Sequence, residues 1–238
     1  MKILSLFILP IRDFWRGYER VLEGRIPGLL SVMVGMLVGW FIYIPFHELM
    51  HAFACMATGG EVTRLEIDAM YGGALLAKVF PWVYSGSDYA GQLTGFDTGG
   101  SDLVYLATDF GPFVLTLFPA VWLLRRFGRQ GAGLRFGLVL PFALAPFLSI
   151  TGDAYEIGSI LVTQVSPWSG EELKPLLRGD DLFKKAEELR EAAVQPWAGY
   201  VLAVTLGVLW AFCTYGIGAA IASRLPGGAP AGSERKGG

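Results

Sequence analysis

The chain has 238 residues, of which 53% are hydrophobic and only 17% are charged. Soluble domains carry about a quarter charged residues, so this composition predicts an integral membrane protein and argues against a cytosolic one. The net charge is -2 and no basic patch is interleaved with aromatic residues, so no nucleic-acid partner is expected. Two cysteines, Cys55 and Cys213, cannot form a disulfide framework or a cysteine-based zinc site.

The N-terminal part predicts an interfacial segment followed by a first membrane span. Residues 1–26 combine a short apolar run with charged and aromatic side chains, and that run is too short to cross a bilayer. Residues 27–46 carry no charge, which is about the length that a spanning helix needs. We therefore predict the first span over residues 27–56.

This first span contains the pattern His-Glu-x-x-His, which holds the only two histidines of the chain, His47 and His51. Side chains four positions apart lie on one face of a helix, so both histidines can bind one metal ion. Glu48 lies between them, where it can act as the base for a water molecule. The alternative is a chance pair of histidines satisfied by neighbours, but unpaired polar groups are costly beside an apolar span. The motif predicts metal ligands at both histidines and a catalytic Glu48.

The residues after the motif predict a small β-hairpin and a second span. Gly59 and Gly60 stop the helix, and apolar and polar residues then alternate before a second apolar run, so a hairpin is expected over residues 61–80. Residues 81–102 are rich in Gly, Ser and Asp and predict an interfacial loop. Residues 103–124 form the predicted second span, with Ser101 as its helix cap.

The C-terminal half predicts two more spans. Residues 136–163 form a third span that is short or kinked, with Asp153 and Glu156 at its end or within it. An amphipathic helix outside the membrane is expected over residues 166–196, a fourth span over 197–223, and a disordered tail over 224–238. The predicted fold class is an all-α polytopic membrane protein of about four transmembrane helices, with the β-hairpin after the first.

The distribution of Lys and Arg predicts the orientation of these spans. With four spans, twelve of these residues share one side of the membrane and seven lie on the other. The positive-inside rule then places both termini in the cytoplasm of a multi-pass protein, with the plasma (inner) membrane as its expected location. The ends of spans one and three reach the same face, which brings the motif towards Asp153.

A catalytic zinc needs three protein ligands and an open position, so the two histidines require a third group. Cys55 lies about 12 Å from His47 along the helix axis, which is too far. A carboxylate must therefore complete the site. Asp153 is the first choice because it follows the third span directly, with Glu156 second and Asp109 third.

The runs His47-Glu48-Leu49-Met50-His51-Ala52 and Gly59 to Ile67 resemble the site-2 protease family of intramembrane zinc metalloproteases. In that family the motif ends a transmembrane helix, a β-rich segment follows, a later helix starts near a Gly-Pro pair, and a third helix supplies an aspartate ligand. Gly111-Pro112 and Gly152-Asp153 stand where the last two features are expected. The resemblance covers roughly residues 30–165. The chain departs from it at Met50, where the family commonly has glycine, and by containing no asparagine.

The resemblance implies a metalloprotease-like core over residues 27–165 with Zn2+ as its cofactor. The expected partners are the lipid bilayer and a membrane-protein or membrane-anchored peptide substrate, whose unwound segment adds to the strand pair at 61–80. The family's site usually lies towards the cytoplasm, whereas the positive-inside rule puts it on the outer face here. The alternatives are a non-catalytic, metal-binding membrane regulator and a transporter with a polar site.

Overall fold

The structure is a computed structural model that describes residues 3–228, so most of the predicted tail and the first two residues lie outside it. The described part is mostly helical, with one small sheet between the second and fourth helices. Its helices are α1 (Ile3–Leu22), α2 (Arg25–Ala57), α3 (Gly73–Leu76), α4 (Asp102–Phe110), α5 (Val121–Arg129), α6 (Gly133–Ala143), α7 (Ala145–Leu148), α8 (Asp153–Val162), α9 (Lys174–Leu177), α10 (Leu182–Glu191) and α11 (Trp197–Ser223). Its strands are β1 (Glu61–Ile67), β2 (Val83–Ser85) and β3 (Gly91–Asp97).

Within residues 3–228, three helical stretches are long and apolar enough to cross a membrane. They are α2, the stretch Asp102–Arg129 that joins α4 to α5, and α11. This finding agrees with a membrane protein, and these stretches correspond to the first, second and fourth predicted spans.

The third predicted span, residues 136–163, is not one continuous helix. The chain there forms α6, α7 and α8 in succession, with Pro146 in the first turn of α7 and a bend before α8. Proline lacks the amide hydrogen that a helix interior uses, so Pro146 suits the first turn of a helix, where that hydrogen bond is not made. Glycine at position 152 has non-helical dihedrals and caps α8. Asp153 is consequently the first residue of a new helix.

The helices pack closely where glycine exposes the backbone. Gly39 of α2 lies against the Leu138 backbone of α6, and Gly35 lies one turn earlier against Leu134, so these two helices run parallel. Gly207 of α11 lies against Ala154 of α8, in an antiparallel pair. Small residues let transmembrane helices approach to backbone contact. These contacts hold α6 and α8 beside the long helices although neither is long itself.

The predicted hairpin over residues 61–80 is not confirmed. The sheet has the order β2-β1-β3, with β2 parallel and β3 antiparallel to β1, so both partners of β1 come from the predicted loop 81–102. The apolar run 74–80 begins in α3 instead. Leu76 and Phe80 pack with Leu65 of β1 against Leu49 of α2, so this run covers one face of the sheet rather than extending it.

The segment 166–196 folds as the two short helices α9 and α10 rather than as one amphipathic helix. Arg178 anchors it, since its guanidinium group donates hydrogen bonds of 2.6 and 3.0 Å to the Asp102 carboxylate and one of 2.7 Å to the Thr163 hydroxyl. Leu177 and Leu189 are fully buried in a core shared with α8 and α11. The segment therefore covers the end of the bundle at which α4 and α11 begin.

A buried ion pair joins α1 to the other end of the bundle. The Asp13 carboxylate accepts hydrogen bonds from Arg125 at 2.6 and 2.7 Å and from the Tyr215 hydroxyl at 3.3 Å. Arg125 also donates to the Ala219 carbonyl at 2.9 Å. This cluster ties α1, α5 and α11 together. Arg125 directly follows the predicted second span, and the sequence pattern there does not indicate its buried partner.

Candidate metal centre

The two motif histidines are buried on one face of α2, and their Nε2 atoms lie 3.2 Å apart. The Nδ1 atom of His51 lies 2.9 Å from the Thr108 carbonyl, which can only accept, so Nδ1 carries the proton. The Nε2 atom of neutral His51 is then a free ligand. The Nδ1 atom of His47 lies 2.8 Å from the Tyr43 hydroxyl. The Nε2 atom of His47 is therefore directed towards Nε2 of His51. Outer hydrogen bonds of this kind orient metal-binding histidines.

Asp153 completes a group of three possible ligands. Its Oδ2 atom lies 3.2 Å from Nε2 of His47, and its Oδ1 atom lies 3.5 Å from Nε2 of His51. One ligand atom from each of the three residues lies within 4.8 Å of the others.

This group fits a bound cation. Oδ2 of Asp153 is buried, and apart from its 3.2 Å contact with Nε2 of His47 it has no hydrogen-bond partner among the described residues. Oxygen and unprotonated nitrogen lone pairs that face one another repel unless a positive charge lies between them. Two imidazoles and one carboxylate form a donor set of catalytic metal sites that keep an open position, zinc sites among them.

The other proposed ligands lie near the group but not in it. Oε1 of Glu156 accepts a short hydrogen bond from the Tyr105 hydroxyl. Asp109 is buried on α4 and lines the same cavity as the ligands, but it is not a member of the three-residue group. Cys55 is buried and its thiol lies 3.8 Å from the Glu61 carbonyl, which agrees with a packing role.

A cavity of about 330 Å³ opens beside the group, and the motif glutamate lines it. Its walls come from α2, α4, α8, β3 and the loop before α10. Glu48 and all three possible ligands therefore face one space. A molecule in that space can contact the glutamate and the metal position together.

Gly91, the first residue of β3, limits the position of Glu48. A Cβ atom at residue 91 would lie 2.5 Å from Cγ and 3.0 Å from Cδ of Glu48. Such a contact is too close, so the glutamate needs glycine at this position. No sequence pattern distinguishes this residue, because it stands among many other glycines in a polar stretch.

The site draws on residues far apart in the chain. Tyr43 and the histidines lie on α2, Thr108 on α4 and Asp153 on α8. The motif and the candidate acids Asp109, Asp153 and Glu156 were identifiable from the sequence, while Tyr43, Thr108 and Gly91 were not. No family model, curated protein or solved structure matches this chain.

Proposed function

We propose that this protein is an intramembrane metalloprotease that hydrolyses a peptide bond in a transmembrane or membrane-proximal segment of another protein. Zinc is the proposed metal, with His47, His51 and Asp153 as its ligands. The observation that carries the proposal is the shared cavity, in which Glu48 and the three ligands meet. The resemblance of the motif region to site-2 proteases supports the same conclusion.

The protein's own residues have distinct parts in this reaction. Zinc, when bound, acidifies water and polarises the carbonyl of the scissile bond. Glu48 accepts the proton of the attacking water and delivers it to the leaving amine. Tyr43 and Thr108 hold the histidine rings in orientation through their Nδ1 atoms.

The proposed membrane topology has four passages, of which the second and third are interrupted. α2 and α11 cross as continuous helices, and the stretch Asp102–Arg129 crosses as helical pieces with an extended residue at Phe118. α6, α7 and α8 together make the remaining passage. Broken helices are tolerated at membrane depth where they line a cavity, as α8 does here. Both termini are proposed to be cytoplasmic in the plasma (inner) membrane, with the metal centre towards the outer face.

The proposed docking edge for the substrate is β3, which replaces the strand pair suggested by the sequence. β1 is the central strand and offers no free edge. The Asp68 amide donates to the Ala90 carbonyl, and hydrogen-bonded pairs alternate along an antiparallel ladder. Gln92 therefore pairs with β1, while Gly91 and Leu93 direct their backbone groups to the free edge beside the cavity. An unwound substrate can add there as a strand.

Leu93→Pro is expected to slow cleavage about tenfold or more, because it removes an amide hydrogen at the free edge without removing a β1–β3 hydrogen bond. Leu93→Ala is the matched variant, since it shortens the side chain and keeps the amide. The ratio of the two cleavage rates on one membrane substrate reports the backbone group alone. Equal rates for the two variants would exclude strand addition at this edge.

Gly91→Ala is expected to lower the cleavage rate about tenfold or more while zinc content stays unchanged, since the new methyl group displaces Glu48 and not the ligands. Cleavage of a membrane substrate and metal content are measured on the same preparation. Gly24→Ala, at the junction of α1 and α2, is the control. Full activity in the Gly91 variant would show that Glu48 is not held by this contact.

The proposal is tested with the purified full chain in liposomes that contain a single-pass substrate protein. We expect about one zinc per chain, since residues 3–228 contain one three-ligand group, with loss of cleavage on chelation and recovery on adding zinc. A protein that retains zinc but cuts no member of a substrate panel would instead be the non-catalytic regulator.

A further inference from the structure

The cavity beside the metal centre carries more acidic side chains than the proposed hydrolysis requires. Its described lining includes Glu48, Asp109, Asp153, Glu156 and Asp180, with no Lys or Arg. Asp153 serves as the metal ligand and Glu48 as the base. The other three carboxyl groups have no part in that chemistry, and no cationic side chain of the lining balances them.

Asp109 has the least compensated carboxylate of these three. It is buried, and its Oδ2 atom has no hydrogen-bond partner among the described residues. The other two each receive a neutral donor, since Glu156 accepts from the Tyr105 hydroxyl and Asp180 from the Gln92 amide at 3.3 Å. A buried carboxylate oxygen without a donor is costly unless a ligand supplies one.

Asp109 and Glu156 share one wall of the cavity. Asp109 lies one turn after Tyr105 on α4, so the two side chains are on the same helix face, and Tyr105 bonds Glu156 on α8. Thr108, the neighbour of Asp109, holds His51 through its carbonyl. This acidic wall is therefore next to the metal centre, within reach of a substrate residue close to the scissile bond.

We propose that Asp109 and Glu156 form a subsite for the ammonium or guanidinium group of a substrate lysine or arginine near the cleaved bond. This inference rests on the proposed proteolysis. A basic side chain supplies the donor that Oδ2 of Asp109 lacks, and its positive charge stabilises the ionised form of both acids, which burial disfavours. Hydrogen bonds between ionised partners are stronger than neutral ones, so such a residue gives specificity.

Cleavage specificity tests the subsite. Lysine and glutamine are placed in turn at each position flanking the cut in a single-pass substrate. At one position, we expect lysine to raise the cleavage rate about tenfold or more over glutamine. Asp109→Asn is expected to bring that ratio close to one, whereas Asp88→Asn, the same change at an exposed acid outside the cavity, keeps it. A ratio near one in the natural protein overturns the subsite and leaves the proteolysis standing.

A binding measurement separates the two proposals. The zinc-loaded Glu48→Gln protein is titrated with fluorescent peptides that contain lysine or glutamine at the tested positions. We expect tighter binding of a lysine peptide, again about tenfold, and loss of this difference on adding Asp109→Asn. If no substrate is cut but this difference is found, the proteolysis fails and the cationic subsite stands. Equal binding of all peptide pairs overturns the subsite.

Discussion

Glu48→Gln is expected to abolish proteolysis and leave the metal in place. Glutamine keeps the size of the side chain in the space beside Gly91, but it cannot accept the proton of the attacking water. Loss of a general base costs about 10²–10⁴-fold, and the same group also serves the leaving amine, so a loss of about 10³-fold or more is expected. The measurement is the initial rate of cleavage in liposomes, with zinc content determined on the same sample.

Glu191→Gln provides the matched control, because it makes the same chemical change outside the cavity lining. Glu191 is exposed at the end of α10. The cleavage rate of the Glu191 variant should equal that of the natural protein. Retention of cleavage in Glu48→Gln, with zinc bound, would show that Glu48 takes no part in the reaction. Loss of zinc in that variant would make Glu48 part of the metal site instead.

The long apolar segments and the metal motif could be predicted because their signals are local. Length and lack of charge predict spanning helices over residues 27–46 and 197–223, and the structure has α2 and α11 there. The His-Glu-x-x-His pattern needs only helical periodicity to bring its two histidines together. Asp153 required one further step, the expectation that the ends of spans one and three meet, and the structure places this residue beside both histidines.

The sheet could not be predicted because its pairing is not local. A short apolar run such as 74–80 suits a strand or a buried helix equally by periodicity, and packing against α2 decides between them. β2 pairs in parallel with β1 across an intervening helix, and β3 lies in a stretch rich in Gly and polar residues. The free edge of β3 and the position of Gly91 both depend on this pairing. The contact between Gly91 and Glu48 could therefore not be predicted from the sequence either.

The partners of charged side chains could not be predicted for a related reason. Arg178 lies in the helix predicted outside the membrane and Arg125 directly follows the predicted second span, yet each binds an aspartate distant in sequence. A charge pattern along the chain reports the average exposure of a segment and not the partner of one side chain. The pattern over residues 166–196 predicts a helix outside the membrane, but it does not indicate that Arg178 binds this segment to Asp102 of α4.

Asp153→Ala is expected to weaken zinc binding more than about 100-fold, because it removes one of three ligands. Loss of an outer-shell partner alone costs about 10–100-fold in metal affinity, and a direct ligand should exceed that range. The affinity is measured by competition with a chromophoric chelator. Elution volume in detergent, compared with that of the natural protein, shows whether the variant remains folded.

Glu156→Gln distinguishes the two acids that the sequence proposed for this position. Glu156 lies one turn after Asp153 on α8, but it bonds Tyr105 and is outside the three-ligand group. Its variant should therefore keep the zinc affinity of the natural protein. If zinc is lost from the Glu156 variant and kept in the Asp153 variant, Glu156 is the third ligand and Asp153 is not. Because both acids lie on one helix near the same histidines, only the paired measurement separates a ligand from its neighbour.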